Sequence, residues 1–199
     1  DLIPILQPII TNSSDLAIFD VGAEVVLDAS NTPNLSNQID SETGFQWDTN
    51  GDGFFDASGS SITISWNEPA QFTIGLRAVS QDGRSATVYL NTTIQDISPP
   101  DVSLSASDTI RKDFDDELLL TANIDDNWGI YSVEWLVDET VIQNYSSWNW
   151  EDGKTFTFRF DSRYSAGNRE VTIRVTDKEG QVTERTAIIE LYDSTPPLV

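Results

Sequence analysis

Along most of this chain apolar and polar residues alternate with a period of two. Ile62, Ile64 and Trp66 are separated by Thr63 and Ser65. Phe72, Ile74, Leu76 and Ala78 are interleaved with Thr73, Gly75 and Arg77. The same holds for Phe156, Phe158 and Phe160 against Thr157 and Arg159, and for Val171, Ile173 and Val175 against Thr172 and Arg174. Such a period sends successive side chains to opposite faces of a strand, one toward a core and one toward water. No window carries the 3.6-residue apolar repeat of a capped amphipathic helix. Clusters of Gly, Asp, Asn and Ser separate the runs, which predicts short antiparallel strands joined by tight turns.

The pattern occurs twice. "DISPP" at 96–100 returns as "DSTPP" at 193–197, an offset of 97 residues that also carries Gly83 onto Gly180. Nearer the front the offset is 93: Asp20, Glu24, Leu27 and Ala29 meet Asp113, Glu117, Leu120 and Ala122. Two divergent repeats therefore share their ends and differ in the middle. Several short strands in fewer than about a hundred residues predict an all-β fold of two tandem immunoglobulin-like antiparallel sandwiches. The expected domains are residues 1–97, with an extended N-terminal segment, and 98–199, which ends in the start of a further linker. Paired prolines in "SPPD" favour an extended, semi-rigid joint between them.

"FDVGAEVVLDASNTP", "FQWDTNGDGFFDASG" and "ITISWNEPAQFTIGLRAVSQDG", in that order, resemble the polycystic kidney disease (PKD) domain, a likeness that covers most of residues 9–97. Phe45 and the pair Gln71-Phe72 depart from that pattern. They keep aromatic bulk but not the tyrosine hydroxyl that the family uses as a buried anchor. The second copy, with "IDDNWGIYSVEWLVD" and "YSAGNREVTIRVTDKEGQV", resembles bacterial and archaeal immunoglobulin-like relatives of that domain. The resemblance implies spacers, stalks or adhesive units of surface and secreted proteins, or accessories of polysaccharide-degrading enzymes.

Charge narrows the partners. Eleven basic against 33 acidic residues give a formal charge of −22, which repels nucleic acid and anionic membrane. "LIPILQPII", near the start, is broken by Pro4, Gln7 and Pro8 and reads as neither signal peptide nor anchor, so the sequence is expected to begin after processing or within something longer. The chain lacks Cys, His and Met. That removes thiolate and imidazole ligands and the triads built on them, and leaves hard, oxygen-ligated ions. No phosphate-cradling glycine loop is present, and the expectation is a chain that is not an enzyme.

The densest oxygen-bearing motif is "WDTNGDGFFD". Asp48, Asn50, Asp52, the Phe54 carbonyl and Asp56 fall at positions one, three, five, seven and nine of an EF-hand-like calcium loop. The twelfth position is Gly59, and no helices flank the loop, so it is not an EF-hand. Two readings stay open: an incomplete calcium cage, or an Asn-Gly/Asp-Gly turn with solvated aspartates. A second acidic group, "DFDDE" at 113–117 with Asp125 and Asp126, is a weaker ion candidate.

Trp148 and Trp150 would share a face if their segment were a strand. That face is either core or a stacking platform for a sugar ring. Trp47 and Trp135 stand at equivalent places and are expected as core tryptophans between the sheets. Sequons at Asn12, Asn34, Asn91 and Asn144 permit N-glycosylation in a host that performs it. These features predict a non-catalytic extracellular segment that spaces, stiffens or links units of a surface assembly. The alternatives are a filament subunit joined by strand addition and a carbohydrate-binding accessory module.

Overall fold

The computed structural model describes residues 9–10, 17–32, 39, 42–81, 83–106 and 109–194. The chain divides into two compact units, Asp1–Ile97 and Ser98–Val199.

In the first unit β1 (Ile9–Ile10), β3 (Val25–Asp28) and β6 (Ser61–Ile64) form one sheet in that order. The second sheet runs β2 (Ala17–Asp20), β8 (Ser85–Gln95), β7 (Ala70–Val79), β4 (Phe45–Asp48), β5 (Ala57–Ser58). In the second unit β9 (Asp101–Leu104), β11 (Glu117–Asp125) and β14 (Thr155–Arg159) form the small sheet. The large one runs β10 (Ile110–Asp113), β16 (Val182–Tyr192), β15 (Gly167–Asp177), β12 (Ile130–Val137), β13 (Thr140–Ser146). The two lists match strand for strand.

In both units the leading strand is split. Its first part pairs antiparallel in the small sheet, and its second part crosses over to lie parallel to the last strand of the large sheet. All other pairings are antiparallel. This is the tandem immunoglobulin-like sandwich that the alternating pattern predicts.

Alternation fixes which faces meet. In β11 Leu118, Leu120, Ala122 and Ile124 are buried while Leu119 and Asn123 point out, and in β15 Val171, Ile173 and Val175 are buried. Phe156 and Phe160 are fully buried, and Trp135 stacks on Phe156 with centroids 4.9 Å apart. In the first unit Leu27, Trp47, Ile74 and Leu76 fill the corresponding core, with the half-buried Trp66 stacked on Phe19 at 5.7 Å. Burying a single large apolar side chain contributes roughly 1.5–3 kcal/mol, so these inward rows set the register.

Among the described residues the only helical segment is a 3₁₀ turn, Trp150–Lys154. It packs on the second core, and a Cβ on its buried Gly153 would lie 2.9 Å from both Val133 Cγ1 and Tyr145 Cδ2. Where the first repeat carries its "NGDG" loop, the second has a two-residue hairpin, Asp138-Glu139, with φ of 46° and 66°.

Candidate functional site

The loop after β4 is built around Asp48. The residue is 4% exposed, and both carboxylate oxygens accept backbone donors: Gly51 N–H to Oδ1 at 2.7 Å and Gly53 N–H to Oδ2 at 2.9 Å. Asn50 Oδ1 accepts from Asp52 N–H at 3.0 Å, Asp52 Oδ1 from Phe54 N–H at 2.8 Å, and Asp56 from the amide and hydroxyl of Thr49. Gly51 takes φ +77°, where an added Cβ would lie 3.1 Å from Phe72 Cβ and Thr73 O. Each side chain is thus engaged in holding the turn. Asp48, Asp52 and Asp56 are not gathered into a group of three carboxylates at coordinating distance, and the Phe54 side chain lies 76% exposed.

Trp148 and Trp150 do not lie on a strand. Trp148 sits in the turn before the 3₁₀ segment and is 84% exposed, whereas Trp150 opens that segment, packs partly against the core and carries Lys154 Nζ 4.5 Å over its ring. The chain leaves the sheet after Ser146, so the condition for a shared strand face is not met. Of the sequons, Asn91 on β8 and Asn144 on β13 are exposed, with Thr73 Oγ1 donating to Asn91 Oδ1 at 3.0 Å and Asn144 Nδ2 donating to Glu134 Oε1 at 3.3 Å. Asn12 and Asn34 lie outside the described residues.

The acidic group at 113–117 is dispersed over different partners. Asp113 accepts from the hydroxyl and amide of Ser194, and Glu117 pairs with Arg159 at 3.2 Å. The Ser194 hydroxyl, followed by its amide, holds the Asp113 carboxyl below its ordinary range.

Asp126 and Asp177 behave differently. Asp177 ends β15, and its Oδ1 accepts the amides of Glu179 at 2.9 Å and Gln181 at 2.8 Å, forming the turn into β16. Asp126 follows β11, and its Oδ1 accepts the amides of Trp128, at 3.1 Å, and Gly129. Antiparallel pairing of Ile130 with Asp177, and a bond from Lys178 N–H to Gly129 O at 3.0 Å, clamps the two turns side by side. Each aspartate is left with a buried Oδ2 that has no hydrogen-bond partner. A carboxylate oxygen of one lies within 4.8 Å of one of the other. Two full charges at such a distance repel by roughly 3 kcal/mol at an effective dielectric of about 20. Neither forms an ion pair among the described residues: the neighbouring Lys178 Nζ lies 4.9 Å from the centroid of the Trp128 ring and donates to Trp128 O at 3.3 Å. Asp177 gave no sequence signal, because "TDKEG" reads as an ordinary turn; its pairing with the other loop is a product of sheet register.

No protein-family model and no curated protein sequence matches the chain. Solved structures resemble it at low identity. The fibronectin(III)-like modules of Clostridium thermocellum CbhA share 18% identity over 94% of this chain and 95% of theirs, with a TM-score of 0.42. The titin domains z1z2, solved in complex with telethonin, share 14% identity over 96% of this chain and 100% of theirs, with a TM-score of 0.44. At these identities and TM-scores nothing of their function passes to this chain.

Proposed function

We propose that the chain is a non-catalytic spacer segment of a surface or secreted assembly, one that carries tension between the units it joins. The observation that carries this reading is the direction of the terminal strands. In the second unit β10 lies parallel to β16, with Ile110 opposite Ile189 and Asp113 opposite Tyr192. In the first, β2 lies parallel to β8 from Ala17 opposite Thr92 to Asp20 opposite Gln95. The entering end of each leading strand and the leaving end of each last strand therefore sit at opposite ends of a shared ladder. Once the short leading strand in the small sheet yields, a pull on the chain ends loads that ladder in shear, so its hydrogen bonds must fail together. A pull on one end of the ladder opens it one bond at a time.

Repetition of this arrangement in both units supports a series element. The formal charge of −22 supports a solvated, self-repelling surface suited to an exterior setting. Neighbouring repeats or subunits are the partners this reading calls for. Its finer form is the PKD-type stalk or adhesive module that most of residues 9–97 resemble.

Single-molecule pulling tests it. With handles at the chain termini, the second unit is expected to unfold at a clearly higher force than with handles at Asp115 and Asp193, which lie beyond the same end of the β10–β16 ladder. Equal forces in the two geometries would overturn the proposal.

A further inference from the structure

We propose that Asp126 and Asp177 hold a divalent, oxygen-preferring cation, calcium, between the β11–β12 and β15–β16 turns. Both aspartates belong to the second unit, and neither is part of the "WDTNGDGFFD" loop. It does not depend on the mechanical reading above.

Three observations converge. First, Asp177 is only 1% exposed, yet its Oδ2 has no hydrogen-bond donor, and Asp126 Oδ2 is likewise buried and without one. Buried carboxylate oxygens are ordinarily satisfied, so an orphan asks for a ligand. Second, the orphan oxygens belong to a pair of carboxylates brought within 4.8 Å, a spacing two oxygens can adopt on either side of an ion with metal–oxygen distances of about 2.3–2.6 Å. Third, the carboxylates are oriented in advance. In each, Oδ1 is tied by two amides of its own turn, which fixes the plane of the group and directs Oδ2 away from those donors. Lys178, the neighbouring cation, is engaged with Trp128 and forms no ion pair with either aspartate.

The donor set selects the ion. Carboxylate oxygen suits calcium and magnesium, and two side-chain oxygens leave most of the coordination shell to water and backbone carbonyls. Calcium tolerates such a shell with irregular geometry, whereas magnesium demands a near-octahedral one. Modest affinity follows, in the range of about 10⁻⁴ to 10⁻³ M known for extracellular modules.

Chelator-treated full chain is titrated with calcium chloride and unfolded thermally. At about ten times Kd the second unit's midpoint is expected to rise on the order of 5–10 °C, with a smaller rise in magnesium. Asp126→Asn and Asp177→Asn keep the shape and one oxygen, and the new amide can donate to the facing Oδ2. Both variants are therefore expected to be at least as stable as the parent in chelator, and to lose the calcium response. That inversion separates loss of an ion from damage to the fold. Calorimetric titration of each folded variant gives the same comparison without heating. Asp52→Ala is expected to keep the response. No calcium shift in the parent would overturn the proposal. So would a shift that survives both Asn variants, or one abolished by Asp52→Ala.

Discussion

Trp47 and Trp135 occupy the same place in two successive sandwiches. Each is fully buried, each faces an apolar residue across the ladder (Leu76 and Ile173), and each indole N–H donates to a glycine carbonyl, Gly59 at 2.9 Å and Gly153 at 2.7 Å. The glycine acceptors come from unrelated local structures, a loop in one unit and a 3₁₀ turn in the other. The repeats thus preserve the indole and its bond while changing what supplies the acceptor. Trp135→Phe is expected to lower stability by about 2–4 kcal/mol, combining the cavity with an unpaired Gly153 carbonyl. Gly153→Ala should also destabilise, by overpacking against Val133 and Tyr145. Urea denaturation followed by circular dichroism measures both; a change below about 0.5 kcal/mol for Trp135→Phe would contradict the role given to the indole bond.

Asp48 should prove to be the keystone of its turn. Replacing it with alanine strands the amides of Gly51 and Gly53, at a cost of about 1–3 kcal/mol. Asp52 is exposed and serves the Phe54 amide, so Asp52→Ala is expected to cost about 0.5 kcal/mol. The order of the two denaturation midpoints is the check. A larger loss at Asp52 would point to a role for that carboxylate beyond the turn.

The hairpin at Asp138-Glu139 holds two side-chain-bearing residues at positive φ, where glycine or asparagine is ordinarily preferred. Asp138 is retained by its partners, since its carboxylate accepts Arg169 Nη1 at 2.9 Å and the Glu170 amide at 3.1 Å. Glu139 is exposed at φ 66°. Glu139→Gly should therefore stabilise the second unit by about 1 kcal/mol, readable as a higher midpoint in urea.

The sandwich architecture was legible because its information is local: a period of two and turn clusters are written along the chain. The core tryptophans were legible because they stand at equivalent places in the two repeats. The placement of Trp148 and Trp150 was not legible, because nothing in a period of two marks Ser146 as the end of the strand or the 3₁₀ turn that follows. The "NGDG" loop was ambiguous because turn chemistry and calcium chemistry draw on the same residues. Only the hydrogen bonds show that the carboxylates are engaged in the turn. Asp177 was illegible as a partner of Asp126, since 51 positions of sequence separate them and only the pairing of β12 with β15 brings their turns together.

Asp113 provides a pH test of how the second unit is closed. Its carboxylate, at the end of β10, accepts the Ser194 hydroxyl, the Ser194 amide at 3.2 Å and the Phe114 amide at 2.8 Å, so it ties the chain leaving β16 to its parallel partner. The Ser194 hydroxyl is the largest cause of the lowered pKa and its amide the next; partial burial opposes them, and the Phe114 amide adds a smaller lowering. A carboxyl depressed in the folded state contributes stability that is fully present above its unfolded value of about 3.9 and is lost as pH falls through the folded value. Ser194→Ala removes the leading cause. The Asp113 resonance should then titrate nearer the ordinary carboxyl range in an NMR pH series, and the parent's advantage in denaturant midpoint should be constant from pH 7 to about 5 and shrink below about 4. An Asp113 titration that Ser194→Ala leaves unmoved would show that the hydroxyl bond does not hold the carboxylate in solution.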